Sequence, residues 1–246
     1  MTRFATRSPP PDPACQFDAQ AATWDAEHGP ASVRRCEFEA RIDYLREVCR
    51  AVSEPRVLDL GCGTGQVLLR LADLIAYGVG VDISPVMIGQ APRHSRLRFA
   101  VHDAIRFCTD CTDSFDLVLM VGVFEHLFDK PAVFRGVRHV LAPRGRLVVI
   151  SPHPWNPAFR LGHMFKRGDE EPPAAHLSPL RLARIAARHG FEISGIRASP
   201  YAVWPQLSRS GRRRRNYRPA ALHHTVLVAL VGLFAGAFAA ELTRHA

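Results

Sequence analysis

At 246 residues the chain is long enough for one α/β domain with extensions, and its 47% apolar share fits a soluble globular core rather than an unfolded polypeptide. Net charge is +9, but of the 32 basic residues only Lys130 and Lys166 are lysines, so the excess of arginine, beside abundant Ala and Pro, reads as coding bias before it reads as polyanion binding. The basic residues are scattered except at Arg212–Arg215 and no RNA or DNA module is visible, so no nucleic-acid partner is expected.

The six cysteines are Cys15, Cys36, Cys49, Cys62, Cys108 and Cys111, and the N-terminal MTRFATRSPPPDP lacks an apolar core segment. The expectation is a cytoplasmic chain with reduced thiols. The C-x-x-C pair Cys108–Cys111 has no second pair at zinc spacing, and no carboxylate–histidine cluster stands at ligand spacing, so no metal is expected.

In chain order, residues 1–14 are Pro-rich and aperiodic and read as a flexible arm. Phe38, Ile42, Leu45, Cys49 and Val52 recur at steps of four and three, one apolar face of a helix over 33–52 that Pro55 ends. Strand and helix patterns then alternate. RVLDL (56–60) leads into a helix over 65–75, and GVGVD (78–82) into a helix opening at Ser84-Pro85, an N-cap followed by an N1 proline. LRFAV (97–101) precedes a short polar stretch. FDLVLMV (115–121) leads into a helix over 130–142 capped by Asp129. RLVVI (146–150) follows a turn at Pro143–Gly145. An irregular insert, 151–177, precedes a helix over 178–189 that opens at Ser178-Pro179 and stops at Gly190, and strand FEISGIR (191–197) follows. The alternation predicts an α/β fold, a doubly wound, mostly parallel Rossmann-like sheet with helices on both faces. Ligands then bind at the carboxyl ends of the strands.

The tail, 201–246, is basic and apolar, with Arg212–Arg215 followed by an uncharged span, 219–240, that is strictly apolar over 226–240. Fifteen helical residues reach roughly 22 Å, short of the ~30 Å hydrocarbon layer. Three readings stand: a membrane-contacting helix with the arginines on anionic headgroups, a helix covering the pocket or a partner, or TVLVALV (225–231) as a last antiparallel strand.

The stretch Val57-Leu-Asp-Leu-Gly-Cys-Gly-Thr-Gly65 carries the chemistry. Gly61, Cys62, Gly63 and Gly65 form a tight turn that lets a ligand approach the backbone, and the turn ends at a helix N-terminus. A dinucleotide fingerprint needs G-x-G-x-x-G, and here Gln66 stands at the last position. Asp59, two residues before the first glycine, repels a pyrophosphate and suits a cation. Asp82 ends the next strand, where one carboxylate can accept from both hydroxyls of a ribose. A nucleoside bearing positive charge fits, and S-adenosyl-L-methionine is such a molecule.

The D-L-G-C-G-T-G run resembles the first motif of class I SAM-dependent methyltransferases, and the resemblance spans about residues 15–200. It implies a SAM-binding domain over 53–200, with Ile83 stacking on adenine, Asp103 accepting from the adenine amino group, Ala104 adding a backbone contact, and Met120 and Val121 lining the methionine side. Phe115-Asp-Leu-Val-Leu-Met-Val-Gly-Val-Phe-Glu-His-Leu127 and HVLAPRGRLVVI (139–150) resemble segments of the small-molecule methyltransferases of ubiquinone, menaquinone and biotin-precursor synthesis. The latter departs from that group in carrying Arg144 and Arg146 around a single Gly145. FDAQAATWDAEHG (17–29) resembles the group's N-terminal lid, assigned here to 15–52, with Trp24 either over the cofactor or packing the lid down. That fold also ends in an antiparallel strand, for which FAAELTRHA (238–246) is a second place.

Catalytic candidates are His126, beyond the fourth strand, an imidazole that can act as a base, His153 in SPHPWNP (151–157) at the mouth of the fifth strand, and His176 before the Ser178 helix, which resembles a histidine found at that place in related sequences. Trp155 and Phe159 offer apolar surface in the insert 151–177, the expected acceptor-recognition region. The expected activity is methyl transfer from S-adenosyl-L-methionine to a small-molecule or lipid-like acceptor at oxygen, by a cytoplasmic enzyme in peripheral contact with the inner face of a membrane through its tail. A non-catalytic adapter that keeps the fold and a nicotinamide-dependent oxidoreductase are the alternatives.

Overall fold

β1 (Arg56–Leu60) is buried from Val57 onward, and β2 (Tyr77–Asp82) and β4 (Phe115–Val121) are buried along their middles. Strands with no wet face are apolar runs, and they belong at the centre of a parallel sheet covered on both sides. The computed structural model describes residues 13–28, 35–152, 178–199 and 237–244. Among these, β3 (Leu97–Val101), β5 (Leu141–Pro152), β6 (Phe191–Ser199) and β7 (Ala237–Arg244) complete a seven-stranded sheet in the order β3-β2-β1-β4-β5-β7-β6. The pairings β1–β2, β1–β4, β2–β3 and β4–β5 are parallel, and β7 runs antiparallel between β5 and β6.

Side chains alternate across the sheet. Leu58, Leu60, Val118, Met120, Leu147 and Val149 pack under α6 (Ala104–Asp110), α7 (Lys130–Val140) and α8 (Pro179–Arg188). Val57, Leu117, Leu119, Val148 and Ile150 pack under α3 (Arg35–Arg50) and α4 (Gln66–Leu71). α5 (Pro85–Gly89) follows β2, and α1 (Pro13–Gln20) and α2 (Trp24–His28) precede the sheet. The doubly wound expectation is met. Ser84, Asp129 and Ser178 each cap their helix by accepting a backbone N–H three residues on, from Met87, Ala132 and Arg181.

Several boundaries differ from expectation. The short polar stretch after β3 holds an unexpected helix, α6, whose N-cap is Asp103 and whose Cys108 is buried in the core. α4 ends at Leu71, four residues short of the predicted helix. β5 begins at Leu141, which pairs with Phe115, and the predicted turn is instead an irregularity within the strand, with Arg144 in the left-handed region at φ 64° before the ladder resumes at Arg146. α1 starts at Pro13, so the last two residues assigned to the arm are helical.

The tail is corrected most. Ala237–Ala240, the end of the apolar run, lies in β7 rather than in any helix. The reason is two-sided pairing: β7 matches β5 over Ala237–Thr243 and β6 over Ala237–Arg244. Phe238, Ala240 and Leu242 fill one face while Ala239 fills the other. The antiparallel strand is therefore at the second of its two expected places, and TVLVALV (225–231) lies outside the described residues. No helix among the described residues is long and apolar enough to cross a membrane.

Candidate functional site

The turn after β1 is bolted to β2. Gly61 N and Cys62 N donate to the Val81 carbonyl at 2.8 and 3.0 Å, and Gly63 N donates to Asp82 Oδ2 at 2.8 Å. Asp82 Oδ1 accepts from Ser84 N at 2.9 Å. One carboxylate thus fixes the first and second βα turns against each other, and each oxygen keeps a further lone pair for a ligand. Gly61 is required twice over: its φ is +71°, and a Cβ there would lie 2.3 Å from Val123 Cγ2. Gly65, the N-cap of α4, packs against Phe99, and Cys62 is buried with its Sγ beside Gly80.

Asp59 sits one residue before the end of β1. It is 1% exposed, and neither carboxylate oxygen has a hydrogen-bond partner among the described residues. Burial, and then the Asp82 charge, push its carboxyl from 3.8 to about 8. A buried acid without a donor is costly and rare in folded chains. A cationic ligand in the crevice would supply the missing charge, so the residues present fit a positively charged cofactor.

Ile83 is half-buried in the turn that leads to α5. Asp103 caps α6 through Oδ1 alone, accepting from Ile105 N at 3.0 Å and Arg106 N at 2.9 Å, and Ala104 is the first residue of that helix. Both lie at the carboxyl edge, beside the end of β3. Met120 is fully buried in the core on the α6–α7 side, while Val121 is half-buried where β4 ends. The structure therefore brings together the two turns, Asp59, Asp82, Asp103 and Val121, and packs Met120 beneath them.

The N-terminal residues cover this edge. Asp18 of α1 accepts from Ser84 Oγ at 2.5 Å and Val86 N at 3.4 Å. Asp25 of α2 accepts from Thr64 Oγ1 at 2.5 Å and Gln66 Nε2 at 3.2 Å. Trp24 lies over Gly63, its Nε1 3.2 Å from where a Cβ would stand. The Phe17 ring meets His126 edge-on, with centroids 5.3 Å apart. Four side chains thus strap α1 and α2 across both turns and onto the histidine.

His126 ends a 3-10 turn, Phe124–His126, just beyond β4. Sequence reasoning passed over two residues of this loop. Glu125 is 6% exposed and accepts from Ser151 Oγ at 3.1 Å, and burial raises its carboxyl above the ordinary range. Lys130 Nζ donates to the carbonyls of Phe124 (2.5 Å), Glu125 (3.2 Å) and Leu127, and rests 4.9 Å above the Phe124 ring. The signal for Lys130 was available: it is one of two lysines in a chain of 32 basic residues. His153, His176, Trp155 and Phe159 lie outside the described residues. No group of three or more His, Cys, Asp or Glu that could hold a metal occurs among the described residues.

Comparison with known proteins gives the family and the fold. A family model described as a methyltransferase domain matches residues 51–184. The ubiquinone biosynthesis O-methyltransferase of Xanthomonas axonopodis pv. citri (strain 306) is 27% identical over 221 residues, covering 82% of this chain and 90% of its own. The ubiquinone biosynthesis O-methyltransferase of Xylella fastidiosa (strain 9a5c) is 28% identical over 204 residues, 76% of this chain and 81% of its own. Among solved structures, a SAM-dependent methyltransferase from Archaeoglobus fulgidus superposes with a TM-score of 0.61 at 16% identity, covering 90% of this chain and 98% of that one. At that identity the likeness is one of fold.

Proposed function

The chain belongs to the methyltransferase-domain family, and from that premise we propose that it moves a methyl group from S-adenosyl-L-methionine to an oxygen of a small-molecule or lipid-like acceptor. The observation that carries the donor assignment is Asp59, buried with both oxygens unpartnered among the described residues at the mouth of the glycine turn. Support for the acceptor class comes from the O-methyltransferase relatives.

When bound, S-adenosyl-L-methionine supplies a methyl already activated by a positive sulfur. The chain's own residues then bind and align. Asp59 faces the cationic methionine portion, directly or through water. Asp82 accepts from the ribose hydroxyls with the lone pairs its backbone partners leave. Asp103 offers Oδ2, the oxygen not engaged in capping, to the adenine amino group, and Ile83 packs on the base. Trp24 and the rest of α1–α2 exclude water, which strengthens every charge interaction beneath them. Holding donor and acceptor in line provides much of the rate.

His126 is the first choice for general base, because it stands at the end of β4 beside the methionine side. An imidazole nitrogen takes the hydroxyl proton as the acceptor oxygen attacks. His153 and His176 remain acceptor-side candidates. The enzyme works in the cytoplasm, in peripheral contact with the inner face of a membrane that holds its acceptor.

The test is transfer of labelled methyl from S-adenosyl-L-methionine into a cell extract, with identification of the product. The expected result is one labelled, extractable small molecule or lipid bearing a new methoxy group, and Asp82→Ala weakening donor binding more than tenfold. Wild-type donor affinity in Asp82→Ala would overturn the cofactor assignment. Label on nitrogen or carbon would overturn the acceptor atom.

A further inference from the structure

Charge is shared unequally between the two helical layers. α3 carries four arginines and four carboxylates, and ion pairs lace its side of the sheet: Arg46–Asp73 at 2.6 Å, Arg70–Glu39 at 2.7 Å and Arg197–Glu47 at 2.6 Å. α7 and α8, side by side on the other face, carry Lys130, Arg135, Arg138, Arg181, Arg184 and Arg188 with no carboxylate in either helix. Lys130 is engaged by carbonyls; the five arginines are exposed. None of the five forms an ion pair with another described residue, and Arg138 donates only to the Gly190 carbonyl. Arg181, Arg184 and Arg188 recur at steps of three and four, opposite the buried stripe of Pro179, Leu182 and Ala186. A coding bias towards arginine acts on the whole chain. It does not explain why, among the described residues, one layer ties Arg46, Arg70 and Arg197 to carboxylates while no arginine of α7 or α8 forms an ion pair.

A second observation concerns where apolar surface is left open. Among the described residues the large exposed apolar side chains are Phe128 (87%), Val101 (50%), Val86 (43%) and Leu180 (43%). All four lie at one edge of the sheet. Val101 closes β3, Val86 is the second residue of the helix after β2, and Phe128 lies between β4 and α7. Leu180 is the second residue of α8, which leads into a strand parallel to β5 and so starts at the edge where β5 ends. This is the carboxyl edge, where the candidate site opens. Phe128 is not a loose loop tip, since Lys130 Nζ holds the carbonyls of Phe124, Glu125 and Leu127 just before it and Asp129 caps α7 just after it. Rigidly exposed apolar groups around a site mark a surface meant to be covered.

We infer that this edge docks on an anionic lipid bilayer, with Phe128 and Leu180 entering the headgroup layer and the arginine face of α8, which begins at this edge with Arg181, engaging lipid phosphates. The inference deepens the reading of a lipid-like acceptor and rests on it: the site mouth would then face the phase that holds the acceptor. A nucleic acid would also draw the arginines, but it leaves the apolar rim without a partner. A bilayer matches both, because amphiphilic surfaces bind through apolar insertion and headgroup attraction together. The surface is argued without the Arg212–Arg215 run, which lies outside the described residues.

The test is co-sedimentation of the full chain with vesicles of phosphatidylcholine alone and of phosphatidylcholine with phosphatidylglycerol. Binding is expected only with the anionic lipid and is expected to weaken with salt. Removing Arg181, Arg184 and Arg188 together as serines should weaken it at least about tenfold, and Phe128→Ser should weaken it severalfold. The control removes the same charge elsewhere: Arg50→Ser, Arg93→Ser and Arg98→Ser together should leave binding within about threefold. Equal losses in the two triple variants would reduce the effect to net charge and overturn the inference. So would vesicle binding indifferent to both, which would assign it to the tail, or equally tight binding of a structured RNA lost in the α8 variant. Calorimetry with S-adenosylhomocysteine separates the two readings. Intact affinity in the α8 variant confines its defect to docking, whereas absent affinity in the wild type overturns the methyltransferase reading and not this one.

Discussion

Replacing Asp59 by Asn tests the site at its most unusual atom pair. Burial and the neighbouring Asp82 charge hold the Asp59 carboxyl at about 8 in the ligand-free protein. At pH 7 about one carboxyl in ten is then ionised, whereas a cation in the crevice requires nearly all to be. Donor binding should therefore release about 0.9 proton at pH 7, and affinity should rise about tenfold from pH 6 to pH 7. Stability of the ligand-free protein runs the other way. An acid whose folded value lies above its unfolded one costs nothing below pH ~4, costs more as pH rises towards ~8, and is level beyond. Across that window the cost is on the order of 5 kcal/mol, at ~1.4 kcal/mol per unit. Asp59→Asn removes it, so the melting temperature of the ligand-free variant should overtake that of the wild type as pH rises through the window. The assays are calorimetry in two buffers of different ionisation enthalpy, and thermal melts from pH 5 to 9. The Asn variant also subtracts the ligand's own titration. Equal proton release in the two proteins, or a melting difference that does not change with pH, would refute the argument.

Lys130→Met removes an ammonium that holds three carbonyls of the loop carrying Glu125 and His126. It should lower kcat at least about tenfold and stability by roughly 1–3 kcal/mol, with donor affinity unchanged. Arg at that position should not rescue, because a planar guanidinium cannot meet three converging oxygens; full activity in Lys130→Arg would show the lock is not needed. His126→Gln should reduce kcat about a hundredfold, while S-adenosylhomocysteine binds as before. An unchanged kcat would move the base to His153 or His176.

The middle of the sheet was readable because a strand buried on both faces has no choice but an apolar run, and β1, β2 and β4 announce themselves in this way. The glycine turn and its two acids were readable because their backbone geometry and charge are local. α6 was missed since its stretch, HDAIRFCTDCTDS, is polar on average and its apolar residues show their purpose only against α7 and the sheet. Asp103 carried a second meaning: read as a ligand contact, it is also the cap that starts that helix. β7 could not be told from a helix by hydropathy, because its partners β5 and β6 are distant in sequence. The clasp of Asp18 and Asp25 on Ser84 and Thr64 left no mark at all, since a carboxylate on an N-terminal helix looks the same whether it meets solvent or a hydroxyl 66 or 39 residues away.

The late strand β7 has a bearing on biogenesis. It slots between β5 and β6, which are made earlier and cannot pair with one another across the gap it fills. On the ribosome, the nascent sheet must wait with two raw edges until Ala237–Arg244 emerges, and Tyr44 waits with it for Glu241, the carboxylate it bonds at 3.0 Å. A nascent chain stalled or clipped before Ala237 would present those edges to its neighbours, so protection from self-association waits on β7.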